Sequence, residues 1–155
     1  MPKSFKEHRL VAFLLLFTLI SDQLAKLFIV RNFYIGESVK VLPFLNIVHV
    51  RNKGVTFGLL SESLQPIVFI ILSLVIVGFL IDYARKNKGY RPFISLIVGG
   101  AIGNVIDRIV YGSVIDFLDF YLGKYHWPAF NIADSAIVIG VFVLFFVSCL
   151  EEKDE

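Results

Sequence analysis

The stretch 92–111, PFISLIVGGAIGNVIDRIVY, has the length and apolar content of a helix that crosses a bilayer, for which roughly 20 mainly apolar residues are required. Its first half is uncharged, whereas Asn104, Asp107 and Arg108 fall at i, i+3 and i+4 near the other end, one polar stripe on a helix. Gly99 and Gly103 form a small-xxx-small face that admits a second helix at close range. Gly112 follows and suits a helix stop. Ionisable groups at the margin of a lipid-embedded segment are costly to keep and are therefore functional-site candidates. Asp107 and Arg108 could simply neutralise one another. Arg108 also offers a fixed fork of donors to a carbonyl or a lipid phosphate, with Asn104 and Asp107 holding it.

Three more stretches of this kind lie outward from that segment, near 9–30, 65–84 and 132–150. The chain is 57% hydrophobic and only 18% charged, with a mean hydropathy of +0.77. Soluble domains carry about a quarter charged residues, so the composition predicts an α-helical membrane protein with four transmembrane helices. At 155 residues it is read as a single polytopic membrane domain, 1–155. Lys3, Lys6 and Arg9 before an apolar run imitate a signal peptide. No small-residue cleavage site follows, and the helical pattern continues through SDQLAKLFIV, so the first helix is expected to be retained.

Basic residues resist translocation. Lys3, Lys6, Arg9, Arg85, Lys86, Lys88, Arg91 and Lys153 cluster at the termini and in the connection between the second and third spans, while Arg31, Lys40, Arg51, Lys53 and Lys124 are spread over the two longer connections. Both termini are therefore expected in the cytoplasm, with connections 31–64 and 112–131 outside. Within VKVLPFLNIVHVRNKG, alternation places Leu45, Ile47, His49 and Arg51 on one strand face and Asn46, Val48, Val50 and Asn52 on the other. A small extracytoplasmic β-sheet between helices 1 and 2 is predicted, resting at headgroup level. Tyr125 and Trp127 suit interfacial anchors for the second outer connection.

Asp22 and Lys26, four apart in the first span, either neutralise one another or leave Asp22 to orient a neighbouring strand or loop. In SVIDFLDF, spacing alone does not choose between Asp116 and Asp119. In WPAFNIADSA, Pro128 breaks the preceding segment and Asn131 flanks the first helical turn, which carries Asp134. Asp134 there is explicable by the helix dipole alone. Yet Asp22, Asn104, Asp107, Arg108, Asp116, Asn131 and Asp134 all fall on the outer side of the expected topology, which points to one site. A proton-coupled transporter would instead line a path across the membrane, and the second span has no charge between Ile67 and Ile81. A non-enzymatic assembly factor would leave the gathered acids unexplained. His8, His49 and His126 have no metal-ligand spacing, so no metal is expected. Cys149 reads as a small packing residue, and the scattered basic residues do not argue for nucleic acid.

Taken in order from Ser21 to Ala136, the motifs SDQLAK, NKGVTFG, GGAIGNVIDR, VIDF and FNIADSA resemble the lipoprotein signal peptidase family (signal peptidase II), bacterial membrane enzymes that cleave lipid-modified prolipoproteins. The resemblance implies a catalytic pair formed by Asp116 of the VxDF motif and Asp134 of the FNxAD motif. Asp107 then becomes a supporting acid and Asp119 is set aside. Asn52, Asn104, Arg108 and Asn131 would line the pocket, with Asp22 more peripheral. Val55 and Thr56 stand where the family often has alanines, which bears on pocket shape. The implied enzyme is an aspartic endopeptidase of the bacterial inner membrane that needs no cofactor. Its partners would be membrane lipids and a prolipoprotein cut just before its diacylglyceryl-modified cysteine. A monomer is expected, since no long polar or coiled-coil surface asks for a partner.

Overall fold

The computed structural model describes residues 3–54 and 64–151, with side chains from Lys6 to Gly54 and from Leu64 to Leu150. Val55 and Thr56 lie outside the described residues. The order is α1 (Lys3–Asn32), β1 (Ser38–Leu42), β2 (Leu45–Asn52), α2 (Leu64–Lys86), α3 (Arg91–Tyr111), β3 (Val114–Leu122), β4 (Tyr125–His126) and α4 (Ile132–Glu151). All four helices are long and apolar enough to cross a membrane, and their positions match the predicted spans to within a few residues except at the N-terminal start of α1.

The helix with the polar stripe, α3, is the centre of the bundle and packs against α1, α2 and α4. Its glycines explain how. A methyl group at Gly99 would lie 2.8 Å from the Leu15 carbonyl oxygen of α1, and one at Gly100 would lie 2.5 Å from the Ala133 carbonyl oxygen of α4. The predicted close-approach face therefore serves α1, and the neighbouring Gly100 serves α4. The outer helices instead turn Phe13, Phe17, Phe79, Phe142, Phe145 and Phe146 outward. Such an apolar exterior is costly in water and natural in acyl chains. Gly100→Val should push α4 off α3 and lower stability by roughly 1–3 kcal/mol, which thermal unfolding in detergent would read. An unchanged unfolding temperature would mean that the two helices do not depend on this approach.

At one end of the bundle the predicted sheet is present, but it draws on both long connections. Strand order is β1-β2-β3-β4, with β2 and β3 antiparallel. The β-branched and aromatic residues of VIDFLDFYL favour a pleated, half-buried strand. Ile29, Ile115 and Phe117 form a core beneath the sheet with Ala25, Phe33, Ile47 and Ile132. Register between β2 and β3 shifts between Ile47 and Val50, so the expected strict alternation fails there: Val48 and His49 are both buried. Gly112, at φ 68°, ends α3, its N–H donating to the Arg108 carbonyl. That left-handed residue turns the chain directly from the polar stripe into β3.

Candidate active site

Asp116 is carried by β3 and is 1% exposed. Both of its oxygens accept an amide: Asn131 Nδ2 donates to Oδ1 at 2.7 Å and Asn52 Nδ2 to Oδ2 at 2.9 Å. Asn52 reaches it as a diagonal cross-strand neighbour, since Val114 is its register partner. Asn131 immediately precedes α4 and caps it: its Oδ1 accepts the Asp134 backbone N–H at 2.8 Å. Asp134, the third residue of α4, accepts a 2.8 Å hydrogen bond at Oδ1 from Asn104 Nδ2. Asn131 Nδ2 also lies 3.3 Å from Asn104 Oδ1. Two asparagines thus tie Asp116 to Asp134 through one continuous set of hydrogen bonds contributed by α3, β3 and the start of α4.

The chain folds this way because residues 127–130 lie along β3. Trp127 N–H donates to the Phe120 carbonyl at 2.8 Å, and Phe130 exchanges hydrogen bonds with Leu118 at 2.8 and 3.1 Å. That seam delivers Asn131 to Asp116.

Burial pushes the Asp116 carboxyl up to about 6, and the nearby charge of Asp134 adds to the rise, against the amides of Asn52 and Asn131, which favour the ionised form. An acid whose folded value exceeds its unfolded one holds its proton more tightly in the native state. Asp116 therefore lends stability at low pH that is lost as pH rises from 3.8 to about 6. Relative to Asp116→Asn, the parent protein should lose about 3 kcal/mol at most across that interval. Unfolding temperatures at pH 4.5 and 7 check this, and a difference that does not vary with pH would contradict it.

Beside this pair lies a buried ionic cluster that sequence reasoning saw only in part. Lys26 does pair with Asp22, at 2.7 Å, but its ammonium also meets Asp107 Oδ2 at 2.8 Å and Asn104 Oδ1 at 2.9 Å. Asp22 orients a helix rather than a strand, accepting the Ala133 backbone N–H of α4 at 2.8 Å. Asp107 takes the strand: the Ile115 N–H donates to it at 3.2 Å. Gln23, not singled out from sequence, donates to Asp107 at 3.1 Å and to the Gly103 carbonyl at 3.2 Å. The only signal for it was its place inside the polar run SDQLAK of an otherwise apolar helix.

Arg108 is held by the Asn104 backbone carbonyl at 3.2 Å and by the Phe69 ring, 5.2 Å from its centre, while the Asp107 carboxylate is engaged elsewhere. Its Nε is buried without a hydrogen bond to a described residue. Asp119 sits apart, since a three-residue offset on a strand reverses the face. Although burial pushes its carboxyl up, hydrogen bonds from Asn46 and His126 outweigh this and hold it below the usual range. Next to Asp134 opens a cavity of about 640 Å³ lined by Trp127, Pro128, Phe130, Ser135, Val138 and Ile139.

Residues 14–150 match the family model for signal peptidase (SPase) II. A lipoprotein signal peptidase of Cupriavidus taiwanensis is 49% identical over 86% of this chain and 78% of its own length. The lipoprotein signal peptidase of Shewanella sp. (strain MR-4) is 42% identical over 100% of this chain and 95% of its own. A bacterial membrane enzyme solved by the in meso method at 1.9 Å resolution superposes with a TM-score of 0.79 at 38% identity, covering 90% of this chain and 92% of that one. With a bundle and sheet of the same fold and a family match spanning nearly its whole length, this chain belongs to the signal peptidase II family.

Proposed function

We propose that the protein is an aspartic endopeptidase of the bacterial inner membrane that removes the signal peptide from diacylglyceryl-modified prolipoproteins, cutting just before the lipidated cysteine. The single observation that carries this reading is the hydrogen-bonded run Asp116–Asn131–Asn104–Asp134, which gathers the carboxylates of β3 and of the first turn of α4 into one site. The names of the relatives support the substrate.

Two acids so placed share one proton. The ionised member takes a proton from a water, whose oxygen adds to the scissile carbonyl carbon. The protonated member donates to the carbonyl oxygen as negative charge gathers there. Collapse of the resulting diol breaks the C–N bond, with a proton passing to the departing amine of the cysteine. Burial and the charge of Asp134 help Asp116 to hold a proton into the mildly acidic range, and the N–H donors of Asn52 and Asn131 fix its lone pairs. Arg108, anchored at Asn104 and Phe69, would meet a backbone carbonyl or lipid headgroup.

The apolar cavity beside Asp134 suits acyl chains or small signal-peptide side chains, so the substrate's lipid can remain in the bilayer while water reaches the bond. In this reading the sheet end faces outward, both termini are cytoplasmic and the chain works as a monomer in a single domain. Incubating purified protein with a synthetic diacylated prolipoprotein should yield cleavage before the modified cysteine that persists in a strong chelator. Loss of turnover in chelator, restored by added zinc, would overturn the aspartic mechanism.

A further inference from the structure

An asparagine side chain has two ends of nearly equal shape and opposite hydrogen-bonding sense. Whether Asn104 helps or harms Asp134 depends on which end faces it. The Nδ2 end donates to Asp134 Oδ1 at 2.8 Å, while the Oδ1 end faces the Lys26 ammonium at 2.9 Å. An ammonium has three donors and no acceptor, so the NH₂ end of Asn104 has no stable alternative in that direction. We propose that Lys26 is a positioning residue for the Asp116 and Asp134 pair, its ammonium fixing the Asn104 amide so that Nδ2 is obliged to donate to Asp134.

Lys26 cannot swing away. It is 1% exposed, and its other two donors are held by Asp22 Oδ2 at 2.7 Å and Asp107 Oδ2 at 2.8 Å. Those carboxylates are themselves pinned, by the Ala133 N–H on one side and by Gln23 and the Ile115 N–H on the other. The same logic operates on Asn131, whose Oδ1 is claimed by the Asp134 backbone N–H, leaving Nδ2 for Asp116. Each amide is thus oriented by a group that can only donate, and each turns N–H toward a carboxylate. A reversed Asn104 would set a carbonyl oxygen against Asp134.

The inference rests on the reading of Asp116 and Asp134 as the catalytic pair. It is tested with the purified full-length chain and a synthetic diacylated prolipoprotein. Lys26→Met and Asn104→Leu should each lower kcat about 100-fold, the scale of a misplaced catalytic group, with KM within about threefold. If Lys26 acts through Asn104, the double variant should be no slower than the slower single one. Multiplication of the two losses would overturn the proposal, since a purely structural role predicts it.

Because Lys26→Met leaves Asp22 and Asp107 buried together, Asn104→Asp provides an arm that keeps the cluster's ammonium. It still offers an oxygen to Lys26 but turns another toward Asp134. It should unfold near the parental temperature and lose about 100-fold in kcat; parental turnover would overturn the proposal. In the same assay, parental cleavage by Asp116→Asn or Asp134→Asn would instead sink the catalytic-pair reading.

Discussion

Asp116→Asn and Asp134→Asn should each lower kcat by about 10⁴-fold, the upper range for loss of a positioned general acid or base. The substitution keeps shape and removes only the capacity to exchange a proton. At Asp116 the new NH₂ must face either Asn52 Nδ2 or Asn131 Nδ2, now donor against donor. One hydrogen bond is lost, offset by relief of a buried acid. The variant should therefore fold and insert, and its unfolding temperature at pH 7 should stay near the parental one. At Asp134 the side chain is only half-buried and the Asn131 cap is made by its backbone, so the fold is again spared. Mass spectrometry of a diacylated prolipoprotein before and after incubation reads the outcome. Full turnover in a folded variant would refute the assignment, and proton flux in liposomes without cleavage would favour a transporter.

The second large effect is expected at Asn131. Asn131→Asp keeps an oxygen for the Asp134 N–H and so keeps the helix cap. It replaces the N–H that Asp116 Oδ1 accepts with another carboxylate oxygen. Adding a negative charge there should hold Asp116 protonated to higher pH, moving the alkaline limb of kcat/KM upward from about 6, while loss of the N–H that fixes the Asp116 lone pairs should lower kcat by about 100-fold. Asn131→Ala should in addition lose the cap, about 1 kcal/mol. A pH profile superimposable on the parental one for Asn131→Asp would show that this amide does not govern Asp116.

The four spans were legible because a run of apolar residues long enough to cross a bilayer has few other uses. The close contact at Gly99 was legible for a similar reason: small residues four apart have one common role in such helices. Spacing within one helix revealed that Asp22 can meet Lys26, but not that Lys26 also meets Asp107 and Asn104. Those contacts depend on how α1 lies against α3: the glycine spacing marks a close approach but does not say which helix makes it or which of its residues then meet the polar stripe. The choice between Asp116 and Asp119 stayed open from spacing because it turns on the conformation of 114–122: as a strand, the two side chains part to opposite faces. Alternation in LNIVHVRN suffices to predict β2, and it sets His49 on a regular alternating face. The register shift after Ile47 buries it instead, and its Nδ1 lies 2.9 Å from the Phe33 carbonyl.

The most direct test is a carbon-13 NMR titration of carboxyl-labelled aspartates in the parental protein and in Asp134→Asn. A coupled pair predicts that Asp116 titrates near 6 in the parent and at lower pH once the charge at position 134 is gone. An Asp116 midpoint identical in both proteins would contradict the sharing of a proton between these two acids.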